Sequence, residues 1–207
     1  MSARERDVLL AHLLAPRVRT YVEWGSGGST ELVAWLALSG HLAPEFVAHS
    51  IESSPEWMRR MLARSSVLRR AQAKGKLHYH HGDLGPTGWL GYPLRFSPVR
   101  EPERALPYVS LQSRGLGAEV DLALVDGRFR VACALEALKH LSQQRGRLLM
   151  HDYIPNATLR SKYPRVRRFY RLIGLNDTLA TLRPTPPSAD AAGSFAAFFA
   201  EALLDTT

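Results

Sequence analysis

Two hydrophobic periods alternate along this 207-residue chain. Short, nearly continuous apolar runs are the form taken by strands buried on both faces. They occur at Thr20 to Glu23, Phe46 to Ile51, about 77–81, Asp121 to Val125 and Arg147 to Met150. Helical spacing fills the intervals. A helix over about 29–39 would place Leu32, Trp35 and Leu36 on one face, and Gly40 would stop it. Ser54 reads as an N-cap, with Pro55 at the first helical position and Trp57, Met58, Met61 and Leu62 following at helical intervals. A further helix over about 130–141 carries Val131, Leu135, Leu138 and Leu141. Strands alternating with helices specify an α/β class: a doubly wound, mostly parallel sheet flanked by helices. The length fits one domain, 1–207.

In such a sheet, ligands bind in the crevice beyond the carboxyl ends of the strands. The residues just after each run are therefore the ones to inspect: Glu23 to Thr30, Glu52 to Ser54, Gly82 to Leu84, Asp126 to Arg130 and His151 to Tyr153. All five sets are polar or glycine-rich. The segment 82–107 stands apart, because glycines and prolines interrupt it repeatedly while Trp89, Tyr92 and Phe96 make it unlike a disordered insert. Long loops in compact domains are often lids, and 82–107 reads as an acceptor lid.

Between the first strand and its helix lies Val22-Glu23-Trp24-Gly25-Ser26-Gly27-Gly28-Ser29-Thr30. Glycines here permit a tight turn and a close ligand, and the helix start offers free N–H groups to an anion. The loop lacks the Gly-Lys-Ser/Thr ending of a Walker phosphate loop, and Thr30 stands where a dinucleotide fingerprint wants Gly or Ala. A glycine-rich turn without a ligand is the plain alternative. Glu52, ending the second run, is suited to accept hydrogen bonds from ribose hydroxyls, with Ser53 beside it. Asp83, followed by Leu84, either completes an adenosine site or makes a Gly-Asp turn.

Glu23, Gly25, Ser26, Gly27, Ser29 and Thr30, then Glu52, Asp83 and Val125-Asp126-Gly127, resemble in order the motifs of class I S-adenosylmethionine-dependent methyltransferases. The resemblance covers about residues 8–175. It implies S-adenosylmethionine as cofactor and a seven-stranded sheet with an antiparallel strand near the C-terminus. It also implies that Asp83 meets the adenine amino group. The stretch from Asp126 to Tyr153 is similar to small-molecule O-methyltransferases, some of which bind a divalent metal through acids after strands four and five. Here those acids are Asp126 and Asp152, the ligands of any Mg²⁺, but Tyr153 replaces the usual Asn and no third ligand is evident. His151 is the candidate general base, since an unperturbed imidazole titrates at ~6.5. A turn acid and a satisfied strand-end histidine are the structural alternatives for Asp126 and His151.

At the C-terminus, Phe195, Phe198, Phe199, Ala202 and Leu203 have helical spacing, whereas the resemblance implies a strand there paired near Leu179 to Leu182. The strand is the expectation adopted, because it would close the sheet edge after strand five.

Net charge is +8. Basic residues crowd 59–76 and 160–171; the first group reads as solvated helix surface, the second as a substrate surface. The walls of an acceptor pocket would be Trp89 and Tyr92, with Arg128, Arg160 and Tyr163 as polar contacts, which suits O-methylation of a small-molecule or glycan-like acceptor that is anionic. Two rivals stand: a nucleic-acid methyltransferase using the basic groups, and a non-enzymatic cofactor-binding protein. His78 and His80 share a strand face and His81 the other, which fits an exposed sheet edge better than zinc. A lone Cys133, no apolar run of spanning length and no signal-peptide pattern point to a cytoplasmic protein without a membrane partner.

Overall fold

The computed structural model describes residues 1–88, 91–94, 102–114, 116, 119–154, 163–185 and 189–205. Seven strands form one sheet: β1 Thr20–Trp24, β2 Val47–Glu52, β3 Leu77–His81, β4 Leu122–Val125, β5 Arg147–Met150, β6 Tyr170–Asn176 and β7 Leu179–Pro184. Their order is β3-β2-β1-β4-β5-β7-β6. The first five are parallel neighbours, β7 runs antiparallel between β5 and β6, and the order reverses between β1 and β4.

Strand alternation divides the core. On one face Val22, Trp24, Ala123, Val125, Leu148 and Met150 pack with the short α5 (Leu106–Val109), α6 (Arg130–His140) and α7 (Ala189–Ala202). On the other, Tyr21, Ala48, Leu122, Leu124 and Leu149 pack with α1 (Ala3–Leu13), α2 (Gly28–Leu38) and α4 (Ser66–Ala73). α3 (Pro55–Arg64) buries no residue, although Ser54 caps it as the sequence suggests, accepting from the Trp57 N–H at 3.1 Å. Trp35 departs from expectation. It is 47% exposed and stacks on His41, because the buried face of α2 is made by Val33, Ala34 and Leu36.

The C-terminal expectation is corrected. Residues 195–203 are helical through Ala202, not a strand. The sheet edge beyond β5 is closed by the β6–β7 hairpin, leaving the aromatic stripe to pack as a helix. Phe198 and Phe195 lie on Phe169 at 5.8 and 5.3 Å between ring centres. Arg165 joins Glu201 of α7 in two-point contact at 2.7 Å, and its guanidinium lies 4.7 Å from the Phe198 ring centre. The second basic group is thus partly spent on holding α7 rather than left open to substrate.

β3 is an edge strand, and His78 and His80 share one of its faces with His49 of β2. The rings stack at 4.9 Å (His49–His78) and 5.4 Å (His49–His80), and His49 Nδ1 lies 3.1 Å from His80 Nε2, a hydrogen-bond distance. Burial, then the neighbouring imidazoles, hold His49 down to about 3; burial, then Arg114 and His78, hold His80 down to about 4. Groups with depressed folded pKa bind protons preferentially when unfolded, so stability is lost as pH falls below the ordinary imidazole value of ~6.5. Thermal melts should show Tm declining between about pH 6.5 and 4, and His49→Gln should flatten that decline. An unchanged decline in His49→Gln would assign the acid sensitivity elsewhere.

Candidate active site

The strand ends converge where the order reverses, and two polar networks meet there. The first belongs to β1, β2 and α2. Gly25 has φ +92°, and a Cβ on it would lie 2.7–2.9 Å from the backbone of Asp126 and Gly127, so the ends of β1 and β4 touch through glycine. The loop then opens: a Cβ on Gly27 or Gly28 would meet nothing within 4 Å. The first-turn N–H groups of α2 have no acceptors within the helix itself and border that space. Ser29 stands in that first turn.

Glu23 lies beneath this loop rather than in the crevice. It is 0% exposed and accepts from Tyr21 Oη (2.9 Å), Ser50 Oγ (2.7 Å) and Thr30 Oγ1. Burial pushes its carboxyl up against the pull of those hydroxyls. Thr30 Oγ1 in turn accepts from the Gly27 N–H at 2.8 Å. Glu23 therefore shapes the loop from below by fastening α2 and β2 to β1.

Glu52 ends β2 facing the same loop. Its Oε2 accepts from Ser26 N–H (3.1 Å) and Ser26 Oγ (2.9 Å), its Oε1 from Ser54 N–H (2.9 Å) and Ser53 Oγ (3.3 Å). Four donors fix the carboxylate's direction. Trp57, which the sequence marked only as a helical position, covers the loop from α3 by donating its indole N–H to the Ser26 carbonyl at 3.0 Å. Leu84 is buried, and Asp83 is exposed and accepts from Gly85 N–H at 2.8 Å, a turn contact.

Of the expected lid, residues 89–90 and 95–101, and so Trp89, lie outside the described residues, as does Arg160. Residues 86–88 and 91–94 pair antiparallel: Gly88 N–H donates to Tyr92 O and Leu94 N–H to Pro86 O. A Cβ on Gly91 would lie 3.1 Å from Ser53 Oγ, so this paired segment reaches the end of β2. Tyr92 lies under the Arg128 guanidinium, 4.2 Å from ring centre to Cζ, so these two expected acceptor residues are together. Tyr163 is not with them. It is 2% exposed, packed in the core, with the Arg130 guanidinium 5.8 Å from its ring centre.

The second network joins β4, β5, α6, α1 and the β6–β7 turn. His151 Nδ1 lies 2.8 Å from Asp126 Oδ1 and its Nε2 3.2 Å from Glu5 Oε2. Two carboxylates on two ring nitrogens require both nitrogens to donate. Burial pulls the imidazole pKa down, but the Asp126 hydrogen bond and the charges of Asp126, Asp152 and Glu5 carry it above its ordinary value. Glu5 is held in place by Ser2 N–H (2.6 Å) and by Thr178 N–H and Oγ1 (3.0 and 2.7 Å). Burial alone would raise its carboxyl, yet those donors and His151 bring it down to about 2. Arg130, at the start of α6, donates to Asp152 Oδ2 (3.1 Å) and lies 3.4 Å from Asp126 Oδ1. Two non-glycine residues with left-handed backbone, Phe129 (φ 53°) and Asp152 (φ 58°), flank this cluster; such conformations persist where the surroundings enforce them. Asp126 and Asp152 keep 29% and 24% of their side chains exposed, the ends of the cluster nearest solvent.

The sequence matches no family model and no curated protein. Solved structures do match. A methyltransferase-like protein of Silicibacter pomeroyi is 25% identical, with all of this chain and 96% of that one covered and a TM-score of 0.69. A candidate rRNA-methylase of Clostridium thermocellum (7% identity, 91% of this chain and 99% of that one, TM-score 0.55) shares the fold. So does CalS11, a TDP-rhamnose 3'-O-methyltransferase of calicheamicin biosynthesis (14%, 86% and 76%, TM-score 0.51). The chain has the class I S-adenosylmethionine-dependent methyltransferase fold, with the antiparallel strand pair at its C-terminal edge. Among the described residues no helix is long and apolar enough to cross a membrane.

The two glycines of the loop should separate fold from binding. Gly25→Ala places a Cβ against backbone at a strained φ and should cost about 1–3 kcal/mol in urea unfolding. Gly27→Val projects into open space from extended backbone, so its Tm should stay near that of the parent while cofactor affinity is lost. A folded Gly27→Val protein with full affinity would move the cofactor away from this loop.

Proposed function

We propose that the chain is an S-adenosylmethionine-dependent methyltransferase acting on a hydroxyl of a small anionic acceptor. The observation that carries the reading is the Glu52 carboxylate, held by four donors at the rim of a glycine loop that is open at Gly27 and Gly28. Such a carboxylate at the end of a second parallel strand suits ribose hydroxyls. The residues present fit the cofactor in kind. The start of α2 offers N–H groups to its carboxylate, Glu52 would take its ribose, and Ser53, Asp83 and Leu84 would flank its adenine. When bound, the cofactor supplies a methyl group on a positively charged sulfur, open to in-line attack.

What the chain itself must do is line up an acceptor and take up a hydroxyl proton. In-line positioning is the larger demand in such a transfer. Asp126 is the group suited to the proton or to orienting the hydroxyl, because it is partly exposed and carries acceptor oxygens. His151 is less suited to act as base, since both its nitrogens already face carboxylates; its part is to orient Asp126. Arg128 supports an anionic acceptor. Its guanidinium is stacked on Tyr92, and its buried Nε has no hydrogen-bond partner among the described residues. The rest of the half-buried side chain keeps solvent contact, and its charge and planar fork suit a carboxylate or phosphate.

Calorimetry should show binding of S-adenosylmethionine and S-adenosylhomocysteine and none of NAD; the reverse would overturn the cofactor assignment. With labelled cofactor and fractionated metabolites, Arg128→Ala should lower transfer by roughly tenfold or more, the worth of a charge-assisted hydrogen bond, while cofactor affinity holds. Equal transfer by variant and parent would remove Arg128 from the acceptor site. Salt-sensitive methylation of RNA or DNA instead of a metabolite would make nucleic acid the acceptor.

A further inference from the structure

The acids that the family resemblance associates with a divalent cation are brought together, and His151 supplies the third ligand type that the sequence did not reveal. One ligand atom from each of Asp126, His151 and Asp152 lies within 4.8 Å of the others. The residues around them nevertheless do not fit a metal. The Arg130 side chain is 4% exposed and lies on both carboxylates, 3.1 Å from Asp152 Oδ2 and 3.4 Å from Asp126 Oδ1. Its Nε donates to Gly127 O (2.9 Å), its NH1 to His151 O (2.6 Å) and its NH2 to Asp126 O (3.3 Å). All three guanidinium nitrogens are thus engaged by the ends of β4 and β5. His151 Nδ1 takes the remaining side of Asp126 Oδ1 at 2.8 Å. A metal ion would need the same lone pairs, and an imidazole nitrogen must shed its proton before it can ligate. The guanidinium also cannot leave without orphaning three carbonyls, each of which would cost free energy in a buried setting.

We propose that Arg130 is a built-in cation that replaces a divalent metal at the acceptor end of the crevice. It holds the Asp126 and Asp152 carboxylates in their facing positions as a positioning residue, without touching cofactor or acceptor. Arginine suits the task because it is charged at every working pH and its planar fork presents several donors in fixed directions. Arg130 lies four residues after Asp126, across the turn that joins β4 to α6. In this reading the wild-type protein binds no divalent ion at the trio, and deleting the guanidinium uncovers a latent site of two carboxylates and one imidazole, ligands that Mn²⁺ accepts. The inference stands apart from the methyl acceptor, because its test reads metal binding and stability rather than turnover.

The test is Mn²⁺ titration followed by electron paramagnetic resonance, together with thermal melts, on the full chain. Wild type, Arg130→Ala, Arg130→Gln and Arg130→Lys are compared, each with and without EDTA. The expected result is that wild type and Arg130→Lys bind no Mn²⁺ at the trio and keep their Tm in EDTA. Arg130→Ala or Arg130→Gln should lose Tm, gain a bound Mn²⁺ and regain Tm with it, and adding Asp152→Asn should abolish that gain. A folded Arg130→Gln protein without bound Mn²⁺ would overturn the proposal. So would Mn²⁺ binding by wild type that Asp152→Asn removes, an outcome readable even if no Arg130 variant folds.

Discussion

One imidazole between two carboxylates governs how this fold is closed at its working edge. Charges taken out of water must be paired, and removing one partner of a buried pair costs about 3–5 kcal/mol. His151 meets Asp126 on one nitrogen and Glu5 on the other, and Glu5 is bound in turn by Thr178. That chain of contacts reaches from α1 through β5 to β4 and to the β6–β7 turn. Arg130 completes it from α6. Elements far apart in sequence are thereby fixed at one point, and the exposed edges of Asp126 and Asp152 inherit that rigidity.

The crevice divides into halves held by different physics. The β1–β2 half is shaped by neutral donors around two acids: hydroxyls on buried Glu23 below, and N–H and hydroxyl groups on Glu52 at the rim. The β4–β5 half is held by full charges. Gly25 and Gly127 are where the halves touch, and contact at that distance leaves no room for a Cβ. In the proposed reading, a cofactor spanning the switch point would place its reactive end beside the charged half, near Asp126 and near Arg128 on Tyr92.

Much of this was legible along the chain, because strand and helix periods differ and because parallel sheets put ligands after the strands. The five parallel runs, the Ser54 cap and the glycine loop follow from those rules. The C-terminal segment was misread where the family pattern was preferred to the local period. The 3.6-residue spacing of Phe195, Phe198 and Phe199 described α7 correctly, and the antiparallel strand was already supplied by Leu179–Pro184. Tyr163 resembled a polar contact because a basic run surrounds it, yet its ring is core. Glu5 could not be assigned to the crevice from sequence, since its partner stands 146 residues away. Only the Ser2-to-Glu5 capping box was local enough to read. Arg130 was within reach, four residues after Asp126, but a cation on a helix start reads as ordinary surface until its burial is known.

The most direct measurement of the central claim is a crystal structure of the protein with S-adenosylhomocysteine bound. The expected result has the ribose hydroxyls on Glu52, the amino-acid moiety against Gly25 to Gly28, the sulfur turned toward Asp126, and Arg130 still on Asp126 and Asp152. A ligand seated away from Glu52 and the glycine loop, with that crevice left empty, would contradict it.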